Sequence, residues 1–192
     1  IFTPGEIMSP EKISLCAAAV ISTISVFKKL RIAVISTGDE LRSLGEDLEY
    51  GQIYESNSYG LSALVEIYGH EVTRFPNVID DLDILRETLN EASKNHDCII
   101  TSGGVSMGDK RFWRVKMRPG SPPLFGLWND KPLFGLPGNP VSSHVVFRAI
   151  VGKWLTSLTN SKDINTKYTH AILDEDIKTQ EGFTTFRRVE LF

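Results

Sequence analysis

Cysteine is scarce in this chain of 192 residues, which carries only Cys16 and Cys98. The two lie in apolar surroundings and far apart along the sequence, so they make neither a disulfide framework nor a cysteine metal cluster. We interpret both as small core residues. The 4 histidines are scattered without the spacing of metal ligands, which disfavours a histidine metal site.

The chain also lacks a strong excess of charge of either sign. It has 21 lysines and arginines and 24 aspartates and glutamates, and its net charge is −3. Without a long basic run, the sequence does not predict nucleic-acid binding. No apolar stretch approaches the roughly 18 residues of a membrane span, and the first residues lack the pattern of a signal peptide. We therefore expect a soluble, cytoplasmic protein. A Walker pattern and a nucleophile elbow are both missing, which disfavours P-loop enzymes and covalent hydrolases.

What the chain does contain is an alternation of strand and helix patterns typical of an α/β fold. Strands are predicted at residues 31–36, 71–75 and 98–100. A helix over 56–68 lies between the first two, and Asp80 and Asp81 open another helix before the third. This order predicts a mostly parallel sheet with right-handed crossovers.

Other elements flank this core on both sides. They are a helix over 10–19, a β-prone run over 21–27, a hairpin of strands 124–128 and 131–134 around Asn129-Asp130, a helix over about 141–155 capped by Asn139, and a hairpin of strands 168–177 and 184–192. A two-stranded hairpin is too small to be stable alone. We therefore divide the chain into the end of a preceding linker domain (1–27), an α/β domain (28–157) and the start of a truncated C-terminal β domain (165–192).

Two features suggest sequence beyond the residues given. Ile1 is not a natural start, so we expect further N-terminal sequence. Only about eleven residues separate the strand at 98–100 from the next strand-like run at 112–117, whereas a parallel crossover takes about a dozen or more, usually including a helix. Either the sheet turns antiparallel there, or a helix-bearing segment is missing between Asp109 and Phe112. We favour the second explanation.

Loops rich in glycine and serine follow the predicted strands or precede a helix. They cover residues 37–40, 102–106, 118–120 and 137–140. The carboxyl ends of parallel strands meet at one edge of an open α/β sheet, and ligands bind there. Backbone N–H groups, hydroxyls and a helix N-terminus facing one crevice suit a phosphate or another oxyanion.

Four acids in or near these loops, Asp39, Glu40, Asp80 and Asp109, could hold Mg²⁺, which takes a few carboxylates together with phosphate oxygens and water. Each candidate also has a simpler interpretation. Asp80 is more often a helix cap, Glu40 a solvated loop acid, and Arg118 a surface cation. The residues alone leave these alternatives open.

Four motifs together are more specific than any single loop. They are Ser36–Leu41 (STGDEL), Gly51–Asn57 (GQIYESN), Thr101–Asp109 (TSGGVSMGD) and Gly135–Ser142 (GLPGNPVS). Their order and spacing resemble the MoeA family, which includes the gephyrin-type E domains of eukaryotes. The resemblance covers about residues 2–192.

The resemblance implies a molybdopterin molybdotransferase, active in molybdenum-cofactor biosynthesis. Such an enzyme takes adenylylated molybdopterin and molybdate as substrates, depends on Mg²⁺, releases AMP and leaves molybdenum on the pterin dithiolene. It also implies a three-layer α/β/α domain of the MogA-like molybdopterin-binding fold. The implied partners are a second copy in a homodimer, a MogA-type adenylyltransferase, and downstream molybdoenzymes or their chaperones.

Site residues follow from the same resemblance. Those expected to be catalytic are Glu40, Asp80, Asp109 and Arg118, and the first three of them are also the expected Mg²⁺ ligands. Those expected to bind the pterin substrate or molybdate are Thr37, Gly38, Asp39, Ser102, Gly103, Gly104, Ser106, Pro119, Gly120, Ser121, Pro137, Gly138, Asn139 and Arg188. Arg118 and Ser121 stand where relatives have the two lysines of a KPGKP-type loop.

The chain departs from the family pattern at three positions. Arg118 keeps a positive charge but presents a planar fork instead of a point charge, and Ser121 loses the second cation. Phe183 stands where the family has the first arginine of a GRxxFxR pattern. Alternatives are a MogA-type adenylyltransferase or a CinA-type pyrophosphatase, which lack the GQIYESN and PGNPVS matches. A gephyrin-like binding module with reduced catalysis is a further alternative, which Ser121 and Phe183 favour.

Overall fold

A computed structural model describes residues 2–103, 113–120, 123–161, 169–187 and 189–190. Its strands are β1 (Arg31–Thr37), β2 (Leu41–Arg42), β3 (Ile53–Tyr54), β4 (Glu71–Arg74), β5 (Cys98–Gly103), β6 (Trp113–Arg114), β7 (Met117–Arg118), β8 (Leu124–Trp128), β9 (Lys131–Leu136) and β10 (Thr184–Thr185). Its helices are α1 (Pro10–Ala18), α2 (Asn57–Ile67), α3 (Leu82–Asn95), α4 (Pro140–Val146) and α5 (Gly152–Leu158), and a π-helical segment (Phe147–Val151) joins α4 to α5.

The main sheet of the described residues has the strand order β4-β1-β5-β9-β8-β6. The strands β4, β1, β5 and β9 are parallel to one another, while β8 is antiparallel to both β9 and β6. Helices α2 and α3 connect the first three parallel strands, as the alternating pattern requires. The predicted α/β class with a mostly parallel sheet is confirmed.

Helices cover both faces of this sheet. On one face, Ile32 and Val34 of β1 pack in a buried cluster that includes residues of α2, α4, the π-helical segment and α5. On the other face, Ala33 and Ile35 pack with the buried face of α3. Neighbouring residues of a strand point to opposite faces, so a strand that is apolar throughout requires cover on both sides. This is the three-layer α/β/α arrangement that the resemblance implied.

Local sequence signals were accurate where short-range chemistry sets the backbone. Asn129 and Asp130 have positive φ angles of 46° and 61° and join β8 to β9, as a two-residue hairpin turn requires. The side chain of Asn139 accepts a 3.1 Å hydrogen bond from the backbone N–H of Ser142, which confirms it as the N-cap of α4. Both cysteines are buried, as expected of core residues.

Three predicted elements are wrong or incomplete. Residues 21–27 form no strand, since Val26 and Phe27 remain exposed and no strand of the described residues pairs with them. Residues 169–177 form no strand either, and β10 pairs instead in parallel with β7. Alternating apolar residues indicate a strand only if another strand offers backbone partners. The helix predicted over 141–155 extends to Leu158 and changes to π-helical geometry in its middle.

The acid pair that opens α3 is resolved into two roles. Asp81 is the N-cap, and its side chain accepts 2.9 Å hydrogen bonds from the backbone N–H groups of Asp83 and Ile84. Asp80 precedes the cap and is not part of the helix. The segment in which we predicted missing sequence, from Asp109 to Phe112, lies outside the described residues. None of the helices within the described ranges is both long and apolar enough to cross a membrane.

Candidate functional site

The carboxyl ends of β1 and β5 lie side by side at one edge of the sheet. These strands are parallel neighbours, with Ser36 opposite Ser102 and Thr37 opposite Gly103 in the register. The strand β9 continues the pairing, with Leu136 opposite Ser102, so Pro137 and Gly138 follow at the same edge. Three of the four loops predicted to form a crevice are therefore brought together by the sheet itself.

These three loops approach so closely that Gly103 has no room for a side chain. Its φ angle is +118°, a region that residues with a Cβ rarely adopt. A Cβ added there would collide with the Thr37 carbonyl oxygen and lie 2.8 Å from Thr37 Oγ1, and one added at Gly138 would lie 3.6 Å from Gly103 Cα. The glycines allow the three backbones to form one continuous wall.

The buried carboxylate of Glu55 stabilises this wall from within the protein. Glu55 is only 4% exposed. Its carboxylate accepts a 2.8 Å hydrogen bond from the Ser36 hydroxyl and 2.6 Å hydrogen bonds from both the backbone N–H and the hydroxyl of Ser58. Buried carboxylates are costly unless hydrogen-bonded, and this one joins the end of β1 to the first turn of α2.

Asn57 ties the other two loops together. Its Nδ2 group donates 2.7 Å hydrogen bonds to the Ser102 hydroxyl and to the Gly138 carbonyl oxygen. The Ser102 hydroxyl in turn donates to the Pro137 carbonyl oxygen at 3.2 Å. Ser102 is 1% exposed, so its hydroxyl is used inside the protein, whereas we predicted it as a ligand contact.

Glu55 and Asn57 were missing from the predicted site residues, although both belong to the GQIYESN motif. Nothing in their residue types separates an internal support from an ordinary helix start. A usable signal was present in their position, because a motif directly before a helix that returns to the sheet must lie at the carboxyl edge. Loops at that edge supply the ligand contacts of open α/β sheets.

The predicted acids of the first loop also lie together. The backbone N–H of Asp80 donates a 2.9 Å hydrogen bond to Asp39 Oδ1. The Glu40 carboxylate lies over Gly38, since a Cβ added there would be 2.6 Å from Glu40 Oε2. Partial burial, followed by the negative charges of Asp39 and Glu40, raises the pKa of Asp80. The Asp80 carboxyl group is therefore close enough to Asp39 and Glu40 to be affected by their charges.

No group of three or more acids, histidines or cysteines among the described residues is placed to hold a metal ion. The predicted Mg²⁺ ligand set included Asp109, which lies outside the described residues. Mg²⁺ is commonly held by one or two carboxylates together with substrate phosphates and water. The hard oxygen donors of Glu40 and Asp80 therefore fit that ion in their chemistry.

The fourth predicted loop lies beside the wall and borders an open cavity of about 700 Å³. A Cβ added to Gly120 would lie 3.0 Å from Pro137 Cγ, so this loop touches the one that precedes α4. The Arg118 guanidinium lies 5.3 Å from the centre of the Phe183 ring. The cavity is lined by Arg118, Pro119, Gly120, Val141, Val145, Thr185, Phe186 and Arg187.

Phe183 therefore has a packing role where the family pattern has an arginine. A cation over an aromatic face is attracted by the ring quadrupole, and this contact joins the segment that carries β10 to the end of β7. Five predicted site residues lie outside the described part of the chain, and their placement stays a prediction. They are Gly104, Ser106, Asp109, Ser121 and Arg188.

Comparisons with known proteins agree on one family. Residues 33–157 match the family described as "Probable molybdopterin binding domain". The sequence is 33% identical to a molybdopterin molybdenumtransferase of Staphylococcus aureus and 35% identical to molybdopterin molybdenumtransferase 2 of Mycobacterium tuberculosis, in each case over 97% of this chain. The matches cover 48% and 51% of those proteins, so the chain spans about half the length of the curated relatives.

The fold gives the same result. The structure resembles the crystal structure of the molybdopterin biosynthesis moeA protein from Pyrococcus horikosii, with a TM-score of 0.75 and 30% sequence identity. The likeness covers 82% of this chain and 42% of that one.

Proposed function

This chain belongs to the molybdopterin-binding domain family, and we propose that it forms the molybdopterin-binding half of a molybdopterin molybdotransferase. It resembles MoeA proteins along almost its whole length. The reaction we propose uses adenylylated molybdopterin and molybdate as substrates and releases AMP. The relatives over 97% of the chain are named molybdenumtransferases, which favours this function over the adenylyltransferase, pyrophosphatase and scaffold alternatives.

The observation that carries the proposal is the wall in which Thr37, Gly103 and Gly138 meet. Side chains are absent from two of its three positions, which lets the ends of β1, β5 and β9 pack against one another at this edge. Open α/β sheets bind their ligands at this edge. The wall supports binding of the pterin phosphate here, between the acids of the first loop on one side and Arg118 on the other.

We propose that Glu40 and Asp80 hold Mg²⁺ together with the substrate phosphates, with Asp109 as a further ligand. The ion would supply charge neutralisation at the phosphoanhydride. Burial first, and then the negative charges of Asp39 and Glu40, raise the pKa of Asp80. This supports the assignment, because a divalent cation would stabilise the charged carboxylate that both causes disfavour. Asp39 accepts the Asp80 N–H and keeps the two loops in register.

Arg118, with Pro119 and Gly120, provides the cationic side of the proposed site. The guanidinium is exposed but held beside the Phe183 ring, and such a fixed cation suits the tetrahedral dianion molybdate or a phosphate. Transfer at phosphorus requires mainly positioning and charge neutralisation. The absence of a nucleophile motif in the sequence is compatible with that chemistry.

Several parts of the proposal come from the family resemblance alone. They are the Mg²⁺ dependence, the homodimer, the cytoplasmic location, and partnership with a MogA-type adenylyltransferase and with downstream molybdoenzymes or their chaperones. The family resemblance is also the sole basis for ligand binding by Gly104, Ser106, Ser121 and Arg188. The same holds for a ligand contact by Asn139 in addition to its role as an N-cap.

The test is AMP release by the full-length protein supplied with adenylylated molybdopterin, molybdate and Mg²⁺. We expect AMP release that requires molybdate, and loss of it when Mg²⁺ is removed with a chelator. A parallel reaction with ATP and molybdopterin examines the adenylyltransferase alternative. The proposed function would be rejected if no AMP were released either with or without molybdate. Pyrophosphate release in the parallel reaction would favour the adenylyltransferase alternative.

A further inference from the structure

We propose that Asn57 is the positioning residue of the wall, fixing the distance between the end of β5 and the loop before α4 so that both can meet one ligand. This inference rests on the proposed function for its ligand. The contact itself is independent of that function, because it is made entirely within the chain.

The chemistry of the contact requires an amide. A single nitrogen, Asn57 Nδ2, donates both 2.7 Å hydrogen bonds, one to the Ser102 hydroxyl and one to the Gly138 carbonyl oxygen. Only an NH₂ group on a short side chain offers two donors to two separate acceptors in this way. The Ser102 hydroxyl already donates to Pro137, so it can only accept from Asn57.

Asn57 is itself held firmly. It is the first residue of α2. Glu55, two residues earlier, accepts hydrogen bonds from Ser36 in β1 and from Ser58 in α2. Both ends of that connection are buried, since Ser36 is 1% and Ser58 is 3% exposed. The Asn57 side chain therefore extends from a rigid base, and its two bonds transmit that rigidity to β5 and to the 137–138 loop.

The amide oxygen of Asn57 indicates that the donor contacts set the orientation of the side chain. Asn57 Oδ1 is buried and has no hydrogen-bond partner among the described residues. An unpaired buried acceptor costs free energy, and rotating the amide by half a turn would only exchange that cost for two lost bonds. The side chain is thus oriented by its donor contacts.

The consequence is a division of labour within the wall. Ser102 has its hydroxyl committed to Asn57 and Pro137, so it can affect a ligand only through the position of its backbone and that of Gly103. Gly138 presents the opposite backbone. Asn57 would act on substrate through these two segments and not by contact, and small displacements at such a distance can be costly for a positioned reaction.

The test compares Asn57→Asp and Asn57→Ala with the control Asn95→Asp, which makes the same chemical change at an exposed position at the end of α3. In Asn57→Asp a carboxylate oxygen replaces the donor and faces the Gly138 carbonyl oxygen, pushing the two segments apart, whereas Asn57→Ala only removes the tie. We expect KM for adenylylated molybdopterin to rise about tenfold or more, with kcat changed less than about threefold. The aspartate variant is expected to be the worse of the two, and the control unchanged.

Hydrogen exchange on the same proteins keeps the inference separate from the proposed function. We expect faster exchange of the backbone amides of Leu136, Gly138 and Asn139 in both Asn57 variants and unchanged exchange in the control. Unchanged exchange, or a KM within about twofold of the unsubstituted protein, would overturn the positioning role. If the unsubstituted protein releases no AMP, the proposed function fails, and exchange alone decides on Asn57.

Discussion

The backbone N–H of Asp80 donates a 2.9 Å hydrogen bond to Oδ1 of Asp39. This bond fastens the loop that follows β1 to the residue immediately before the N-cap of α3. The two neighbouring acids, which the sequence could not tell apart, therefore have different roles. Asp81 caps α3, whereas Asp80 is bonded through its backbone to the loop after β1.

That separation predicts opposite outcomes for two adjacent alanine substitutions. Asp81→Ala removes a cap and should lower the free energy of unfolding by about 1 kcal/mol while AMP release continues. Asp80→Ala should slow AMP release by more than about tenfold, with a smaller change in stability. Urea unfolding and the AMP assay on both variants check this. The capping interpretation of Asp80 would return if Asp80→Ala only lowered the unfolding midpoint.

A pH dependence is expected at the opposite edge of the sheet. The Arg31 guanidinium donates to Asp97, whose side chain also accepts the Arg31 backbone N–H at 2.9 Å. These contacts lower the pKa of Asp97 from its ordinary 3.8 to about 2. A depressed carboxyl pKa stabilises the fold above the ordinary value, and this contribution is lost as pH falls from about 4 towards 2.

Asp97→Asn should therefore lower the free energy of unfolding at pH 7 by about 1 kcal/mol, a figure discounted because the pair is partly exposed. The difference between the variant and the unsubstituted protein should shrink as the pH falls below about 4. Urea unfolding at pH 7 and pH 3 measures it. A constant difference at both values would contradict the assignment of the ion pair, and AMP release at pH 7 should be unaffected because Asp97 is remote from the site.

Gly103→Ala tests the close approach of the wall. The added Cβ would collide with the Thr37 carbonyl oxygen in addition to straining a positive φ angle. The matched control is Gly45→Ala, at a φ of +94° with nothing within 4 Å, which isolates the backbone strain. We expect the control to lose about 1 kcal/mol and Gly103→Ala to lose at least about 2 kcal/mol. Equal losses in urea unfolding would show that the loops separate freely.

Arg118 offers a test of the cationic side. Arg118→Ala should raise KM for molybdate about tenfold or more, since it removes a charge-assisted contact. Arg118→Lys should retain most of the affinity because it keeps the charge, although it loses the planar fork. Arg86→Ala, which breaks an exposed pair with Asp83, serves as the control. Steady-state kinetics at varied molybdate concentration would contradict the role if alanine and lysine behaved alike.

The elements that the sequence predicted correctly are those with local causes. The turn at Asn129-Asp130 follows from residues that tolerate positive φ, and the caps at Asn139 and Asp81 follow from short polar side chains. Residues 32–35 lie in a strand and are all apolar, and a short apolar run bounded by polar residues predicts a strand without reference to its neighbours. Local chemistry needs no knowledge of distant partners.

The failures all involve such partners. Residues 21–27 have the composition of a strand, but none of the strands that the structure describes pairs with them. The strand β10 pairs with β7, which lies more than sixty residues earlier. Asn57 could not be identified because its importance lies in Ser102 and Gly138, which are 45 and 81 residues away in sequence. Glu40 and the glycines at 38, 103 and 138 were predicted as site residues because the family motifs carry them.

The π-helical turn at Phe147–Val151 makes the number of residues in this helix matter. A π-helical turn accommodates one residue more than an α-helical turn, and each residue rotates an α-helix by about 100°. Deleting one residue from this turn would restore regular α-helical geometry there and leave the buried Leu155 of α5 facing the core. A one-residue deletion in the α-helical part before this turn would instead rotate everything that follows by about 100° and turn the buried face of α5 away from the core. The π-helical turn is therefore the place where this helix can lose one residue without losing its packing.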